Sequence, residues 1–288
     1  MQALLMVLAA QLLIAGGNLL VKLLDEQTPV FQLVLYRQLF ATLLVLPFVW
    51  RLQGNLKISP LYRVHLLRAI LIGLGNAVFM LAVLRLPLAT VTAVIYTAPL
   101  LLMLLSAWWL KEHIGHRRRI AGLLGFCGIL MISQPGAFNL YLLLALLGAA
   151  ITALNSLVLK AYSGKEHPFS TLFWSNAFAM LFLLPATWYE GADFSWPVAQ
   201  VGLSLGLFYV AMTYLIIHAY RRADASQLAP VEYTGLMFAA FFGWLFLDER
   251  LNLLMLAGIA LVLFSSLLPS WNELARRFKR TAAKANPD

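Results

Sequence analysis

The chain has 288 residues, of which 62% are hydrophobic and only 11% are charged, and this excludes an ordinary soluble globular protein. Its apolar residues occur in runs of about twenty, the length that an α-helix needs to cross a bilayer. A net charge of +9 would suit a nucleic-acid partner, but the basic residues lie in short segments between the apolar runs. Membrane proteins carry that bias in their inner-face loops. We therefore expect a multi-pass membrane protein with membrane lipids, and no nucleic acid, among its partners.

Ten apolar helices are predicted in chain order, and no segment between them is long enough for a soluble domain. They span about residues 2–22, 30–50, 66–84, 89–110, 119–134, 139–159, 168–188, 197–218, 226–247 and 253–269. A basic segment, 270–288, follows the last helix and is predicted to be a cytoplasmic tail.

The distribution of basic residues predicts the orientation of the chain. Seventeen of the 21 lysines and arginines lie in alternate loops and the tail, at 51–68, 111–119, 160–165, 221–222 and 270–288. Loops on the other side hold only three. Because inner-face loops are enriched in lysine and arginine, this bias predicts an inner-membrane protein with both termini in the cytoplasm.

Two parts of the chain, 82–113 and 219–250, are similar to each other without a gap. Matched positions, each pair separated by 137 residues, include Arg85 and Arg222, Tyr96 and Tyr233, and Glu112 and Glu249. The chain is therefore predicted to contain two five-helix repeats, 1–137 and 138–269, that enter the membrane in opposite senses. Inverted repeats of this kind characterise secondary transporters, whose site lies between the halves. Duplication without functional symmetry is the alternative.

Each repeat ends in a similar motif around a glutamate. Glu249 lies in LFLDERL and Glu112 in WWLKEHI, and an Ala-Gly pair follows each motif. In these motifs, and in LYRQLFA around Arg37, the whole chain resembles the EamA-type drug/metabolite transporter superfamily. The APVEYT segment around Glu232 is similar to a subgroup with proposed carriers of S-adenosylmethionine, riboflavin or metal-chelating amino-acid derivatives. The resemblance implies an all-α transporter with a central cavity lined by helices three, four, eight and nine, helped by one, two, six and seven. Helices five and ten would then be peripheral.

Glu232 is the only carboxylate well inside a predicted span, some six residues or roughly 9 Å from its start. A charged group at that depth is costly and usually faces a cavity or a partner. Glu232 is therefore a candidate for proton or cation coupling, and a structural acid hydrogen-bonded to neighbouring helices is the alternative. Pro230 supports the functional interpretation, because a proline within a helix frees a backbone carbonyl close to the acid.

Arg37 is the basic counterpart, about seven residues inside the second predicted helix. It would bind an anionic group of the solute or pair with a carboxylate, or its long stem would reach the outer headgroups. Direct pairing with Glu232 is not expected, because the predicted boundaries put the two residues in opposite halves of the bilayer.

Aromatic and amide side chains at intermediate depth complete the predicted site: Tyr96, Tyr209, Tyr214, Tyr233, Trp174, Asn18, Asn76, Asn155 and Thr213. Such side chains stack on and hydrogen-bond a flat or amphipathic metabolite. Contacts between helices are the alternative role for the asparagines. Pro99 is predicted to break the fourth helix at the carbonyl of Ile95, as in other transporters with broken helices at a cavity.

Taken together, these features predict a secondary transporter that moves a small amphipathic, aromatic or amino-acid-like metabolite by alternating access, as proton-coupled efflux or exchange. It would act as a monomer or homodimer, without a cofactor or bound metal. The chain has no phosphate-binding G-x-x-x-x-G-K-[ST] loop, so it is not expected to hydrolyse ATP. A lipid scramblase or channel-like protein is one alternative. An intramembrane enzyme is another, although the acids and histidines of such enzymes are usually clustered.

Overall fold

A computed structural model describes residues 1–53, 58–109, 111, 115–133, 140–162, 165–223, 228 and 231–268. Within these residues the secondary structure is entirely helical. The helices are α1 (Gln2–Lys22), α2 (Val30–Gln53), α3 (Tyr62–Arg85), α4 (Leu88–Ile95), α5 (Ala98–Trp109), α6 (His116–Ser133), α7 (Leu140–Ala161), α8 (Pro168–Glu190), α9 (Trp196–Tyr220), α10 (Thr234–Phe246) and α11 (Leu253–Leu267). Three features predicted from the sequence, Glu112, Pro230 and the tail 270–288, lie outside the described residues.

The described helices have the length and composition of a multi-pass membrane protein. Seven stretches are long and apolar enough to span a bilayer, with 88–109 counted as one. Three further apolar helices are shorter: Arg119–Ser133, Thr234–Phe246 and Leu253–Ser265. The all-α, multi-pass prediction is confirmed, while ten crossings and the orientation of the termini remain predictions.

Helices from the two predicted repeats pack directly against each other. In the bundle α1 packs on α9, α2 lies against α8 and α9, and α3 lies against α7 and α8. The largest buried apolar cluster joins residues of α1, α2 and α3 to residues of α7, α8 and α9. The apolar faces of these helices are therefore buried mainly between distant parts of the sequence.

Two glycines allow a close crossing of α6 and α11. A Cβ atom at Gly128 would lie 2.8 Å from the carbonyl oxygen of Gly258, and one at Gly258 would lie 2.7 Å from that of Gly128. Real side chains do not tolerate such distances, so only glycine permits this approach. Since small residues let membrane helices pack closely, the pair allows α6 and α11 to pack directly against each other.

Gly128→Val is expected to lower the melting temperature by several degrees, because forcing extra atoms into a packed contact costs about 1–3 kcal/mol. Scanning fluorimetry in detergent measures this change. Gly115→Val is the matched control, since a Cβ atom there meets no atom within 4 Å. Equal melting temperatures for the two variants would contradict the tight crossing.

The predicted fourth helix, 89–110, is interrupted rather than continuous. Helix α4 ends at Ile95 and α5 begins at Ala98, with Tyr96 and Thr97 in a turn between them. The Thr97 N–H donates to the carbonyl of Val94 at 2.9 Å, a tightened pattern that ends the α-helical ladder. Pro99 lacks the N–H that would otherwise bond the carbonyl of Ile95. The missing hydrogen bond to the carbonyl of Ile95 explains why the helix is interrupted here.

A turn at the matched position of the second repeat precedes α10. There Tyr233 is the residue before the first residue of the helix, and the hydroxyl of Thr234 donates to the carbonyl of Val231 at 2.6 Å. The hydroxyl of Thr97 donates to the carbonyl of Val94 in the same way, at 2.8 Å. The two turns thus share a side-chain hydrogen bond as well as sequence.

Arg68 lies within a helix, although the sequence prediction counted it in a loop at 51–68. Helix α3 begins at Tyr62, so Arg68 lies in its second turn and is only 6% exposed. Its guanidinium donates to the side chains of Asn155 and Ser175. Counting Arg68 as a loop residue was wrong, because hydrogen bonds from α7 and α8 allow this charge to be buried.

Glu249 caps the start of α4 from the connection between α10 and α11. Its two carboxylate oxygens accept from the Leu88 N–H at 2.7 and 2.9 Å. Burial raises the pKa of Glu249, while the Leu88 amide and the nearby Lys22 lower it. Burial has the larger effect. The residue therefore joins the second repeat to the first residue of α4.

Glu249→Ala is expected to cost about 1 kcal/mol of stability, because the first N–H groups of α4 lose their acceptor. Scanning fluorimetry measures the loss. Glu26→Ala is the control, since Glu26 pairs with Arg85 on the surface and such pairs contribute little. An equal loss in both alanine variants would contradict the cap.

The raised pKa of Glu249 means that the folded state holds the proton of this carboxyl group more tightly than the unfolded state does. The stability of the wild type relative to Glu249→Gln should therefore be greatest at low pH and decline as the pH rises through the folded pKa.

Candidate functional site: a cavity between the predicted repeats

A cavity of about 620 Å³ lies between helices of the two predicted repeats. Residues of α1, α2, α3, α4, α5, α7 and α9 line it, together with Tyr96 in the turn after α4 and with Glu232. None of the described residues of α6, α8 or α11 contributes. The lining is mainly apolar with a few polar groups, the composition of a small-molecule site.

Most of the side chains predicted for the site meet in this cavity. Those lining it are Glu232, Arg37, Tyr96, Tyr209, Asn18, Asn76, Asn155 and Pro99. They come from segments far apart in the chain, between Asn18 and Glu232. The tertiary fold thus places one basic and one acidic side chain in the same cavity.

Four predicted residues lie outside the lining. Tyr233 stacks on Tyr96 with ring centroids 5.0 Å apart, so it supports a lining residue from behind. Trp174 is 9% exposed in an apolar cluster between α2 and α8. Thr213 donates its hydroxyl to the carbonyl of Tyr209. Tyr214 is 48% exposed and packs on His218, because it projects from another face of α9.

Glu232 enters the cavity next to two tyrosines. Its carboxylate accepts a hydrogen bond of 2.6 Å from the hydroxyl of Tyr220, the last residue of α9. Its backbone carbonyl accepts from the hydroxyl of Tyr96 at 2.8 Å. Among the described residues Glu232 forms no ion pair, since the two ion pairs there are His65–Glu166 and Arg85–Glu26. The carboxylate is therefore available to a proton or to a cationic group.

Arg37 presents a second available charge. Its guanidinium carbon lies 4.6 Å from the ring centroid of Tyr209, a cation–π contact from α9. One terminal nitrogen, Nη1, is buried and has no hydrogen-bond partner among the described groups. A buried guanidinium with an unused donor is a site for an anion, because arginine matches carboxylate and phosphate oxygens in geometry.

Gln11 is a lining residue that the sequence prediction missed. It is 4% exposed, and its side-chain oxygen lies 3.1 Å from the hydroxyl oxygen of Tyr96. Gln11 and Asn18 are seven residues apart on α1, so they share one helix face, which was an available signal. Thr152, Asn155 and Ser156 form a comparable stripe on α7. Within the described residues no group of three His, Cys, Asp or Glu side chains could hold a metal ion.

A family model described as the EamA-like transporter family matches the chain twice, over residues 1–134 and 139–271. The chain belongs to the EamA-like transporter family. It is accordingly a multi-pass membrane transporter and not an enzyme, as the sequence motifs predicted.

EamA-like relatives with assigned substrates align along most of the chain. It is 25% identical over 265 residues to an S-adenosylmethionine uptake transporter of Rickettsia bellii, covering 90% of each chain. It is 27% identical to a pseudopaline exporter of Pseudomonas aeruginosa, covering 85% of this chain and 87% of the relative. It is 30% identical to a riboflavin transporter of Rhizobium johnstonii, covering 83% and 80%. A solved crystal structure shares the fold, with a TM-score of 0.61 at 18% identity over 92% of this chain and 97% of that chain.

Proposed function

We propose that this EamA-like protein is a proton-coupled secondary transporter of a small amino-acid-like or amphipathic metabolite, acting by efflux or exchange. Two inverted five-helix repeats, crossing an inner membrane ten times with both termini in the cytoplasm, would expose the cavity alternately to either side. The observation that carries the proposal is the cavity itself, in which Arg37 and Glu232 offer opposite charges and neither forms an ion pair with another described residue. The transporter acts as a monomer or homodimer.

The chemistry of the lining supports a solute with both an anionic and a cationic or proton-donating group. Arg37 suits a carboxylate, and Glu232 suits an ammonium, another cation or a proton. Tyr96 and Tyr209 add aromatic faces, and Asn18 and Asn76 add amide groups. Three relatives are named for S-adenosylmethionine, pseudopaline and riboflavin. Those names make metabolites of this size and polarity the first compounds to test.

A thermal-shift screen of the purified protein tests this proposal. The library contains S-adenosylmethionine, riboflavin, amino acids and metal-chelating amino-acid derivatives, at about pH 5.5 and about pH 8. A ligand that binds only the folded state raises the melting temperature by mass action. We expect a pH-sensitive hit that is then carried across proteoliposomes. Movement of fluorescent lipids between leaflets without any solute hit would instead favour a lipid scramblase.

A further inference from the structure

A second charged cluster adjoins the cavity at the end of the bundle where α3 begins. We call it the His65 network, which consists of His65, Arg68, Asn155, Glu166 and Ser175. His65 is 1% exposed and Arg68 is 6% exposed, so both lie inside the protein. The network joins α3 of the first repeat to α7, α8 and the segment between them in the second. It is therefore a contact between the two repeats.

The hydrogen bonds of the network run in a continuous chain from a carboxylate to the cavity. His65 Nε2 lies 2.8 Å from a carboxylate oxygen of Glu166, and His65 Nδ1 lies 3.2 Å from the hydroxyl oxygen of Ser175. That hydroxyl oxygen accepts from Arg68 at 3.0 Å. Arg68 Nε donates to the side-chain oxygen of Asn155 at 3.1 Å, and Asn155 lines the cavity.

The charges of the network balance only when the His65 ring is neutral. Arg68 is positive and Glu166 is negative, and a neutral imidazole between them donates to Glu166 while accepting from Ser175. Within the part of the chain that the structure describes, Arg68 makes no ion pair, so Glu166 is the negative charge closest to it in the network. A proton added to the pair of His65 and Glu166 would leave a net positive charge buried beside Arg68. Burying an uncompensated charge is costly.

Other titratable groups near the network make contacts of their own. On α9, Tyr209 is a titratable residue near Arg68. Three further basic side chains near the network make contacts outside it. Arg63 donates to the hydroxyl of Tyr62, Lys165 lies over the ring of Tyr162, and His167 accepts from the backbone N–H of Phe169. On α8 the hydroxyl of Thr171 donates to Glu166 without changing the charge. The balance of charge in the network is therefore set by His65, Arg68 and Glu166.

We propose that His65 and Glu166 form a second proton-binding site, separate from Glu232, and that binding of a proton there releases the contact between α3 and the α7–α8 segment. The physical reason is that the uncompensated charge is relieved when water enters and the two repeats separate at this end. Release of Arg68 also frees the amide of Asn155 for the solute. The mechanism rests on the proposed movement of the two repeats, although the proton site itself is measurable without any solute.

Distances between spin labels on the two repeats test the site directly. Cys127 is the only cysteine, so Cys127→Ser gives a cysteine-free background. Labels replace Tyr62 at the start of α3 and Tyr162 after α7, both of which are exposed. In lipid nanodiscs without solute, we expect longer distances at about pH 4.5 than at about pH 8, a range that extends well to both sides of the titration of an unperturbed histidine. Distances that do not change with pH would overturn the proposal.

Three variants separate this site from the cavity acid. His65→Gln keeps a neutral hydrogen-bonding group and should hold the short distance at both pH values. Glu166→Gln removes the negative charge beside Arg68 and should give the long distance at both. Glu232→Gln should retain the full pH response even if it abolishes transport. A pH response that persists in His65→Gln, or that disappears in Glu232→Gln, would assign the proton elsewhere. An unchanged distance in the wild type, or a response lost in Glu232→Gln, would each overturn the proposal, so it remains falsifiable even if the other two variants fold poorly.

Discussion

Replacing Glu232 with glutamine is expected to abolish the pH dependence of transport and to slow proton-driven flux by roughly tenfold or more. The amide has nearly the same shape but cannot exchange a proton, and a hydrogen bond to a charged group contributes about 1.5–3 kcal/mol. That range corresponds to about ten- to hundredfold. The measurement is flux of the thermal-shift hit in proteoliposomes with an imposed pH gradient. Glu26→Gln, which removes an exposed acid from the surface pair with Arg85, is the matched control.

Tyr220→Phe refines this test without removing the acid. The hydroxyl of Tyr220 donates to the Glu232 carboxylate at 2.6 Å and so favours its charged form. Its loss should move the midpoint of the transport profile to higher pH while transport continues. If Glu232→Gln transports with the wild-type pH profile, Glu232 is a structural acid and coupling through it is disproved.

Arg37→Ala is expected to weaken binding of an anionic solute by about ten- to hundredfold, because a charged hydrogen bond of about 1.5–3 kcal/mol is lost in a buried site. Arg37→Lys should recover only part of that affinity, since lysine keeps the charge but not the planar pair of donors. Isothermal calorimetry with the screen hit and with its methyl ester measures both effects. The ester lacks the anionic group and should bind wild type and Arg37→Ala about equally.

Arg63→Gln provides the control for the loss of an arginine, because Arg63 is exposed and bonds the hydroxyl of Tyr62. It should bind the hit like the wild type. If Arg37→Ala lost no affinity for the anionic solute, the stack of Arg37 on Tyr209 would serve packing alone.

Much of the site was predictable because a charged side chain in an apolar helix is unfavourable unless a cavity or a partner stabilises it. Glu232 and Arg37 stand out as charges within runs of about twenty apolar residues, and both line the cavity. Pro99 marked the break after Ile95, because the loss of one N–H has a local effect. Trp174 and Tyr214 were harder to assign, since an aromatic residue packs equally well in a cavity wall, an apolar cluster or an exposed face.

The burial of Arg68 and His65 was not predicted, for a different reason. Each lies close to the start of α3, where a basic residue normally remains in water at the membrane surface. Only the partners on α7 and α8, about 90 to 110 residues away in sequence, allow them to be buried. Hydrogen-bond partners at that separation leave no periodic signal in a single sequence.

By itself, the sequence determined the membrane class, the all-helical fold and the transporter family, because these follow from composition, helix length and local motifs that act over a few turns. The tertiary structure alone decided which polar residues share the cavity and which serve as packing. It also placed Arg68 inside the bundle and joined it to Asn155. The physical reason is that the energy of a buried charge depends on the groups around it, and helix packing brings those groups from distant parts of the chain.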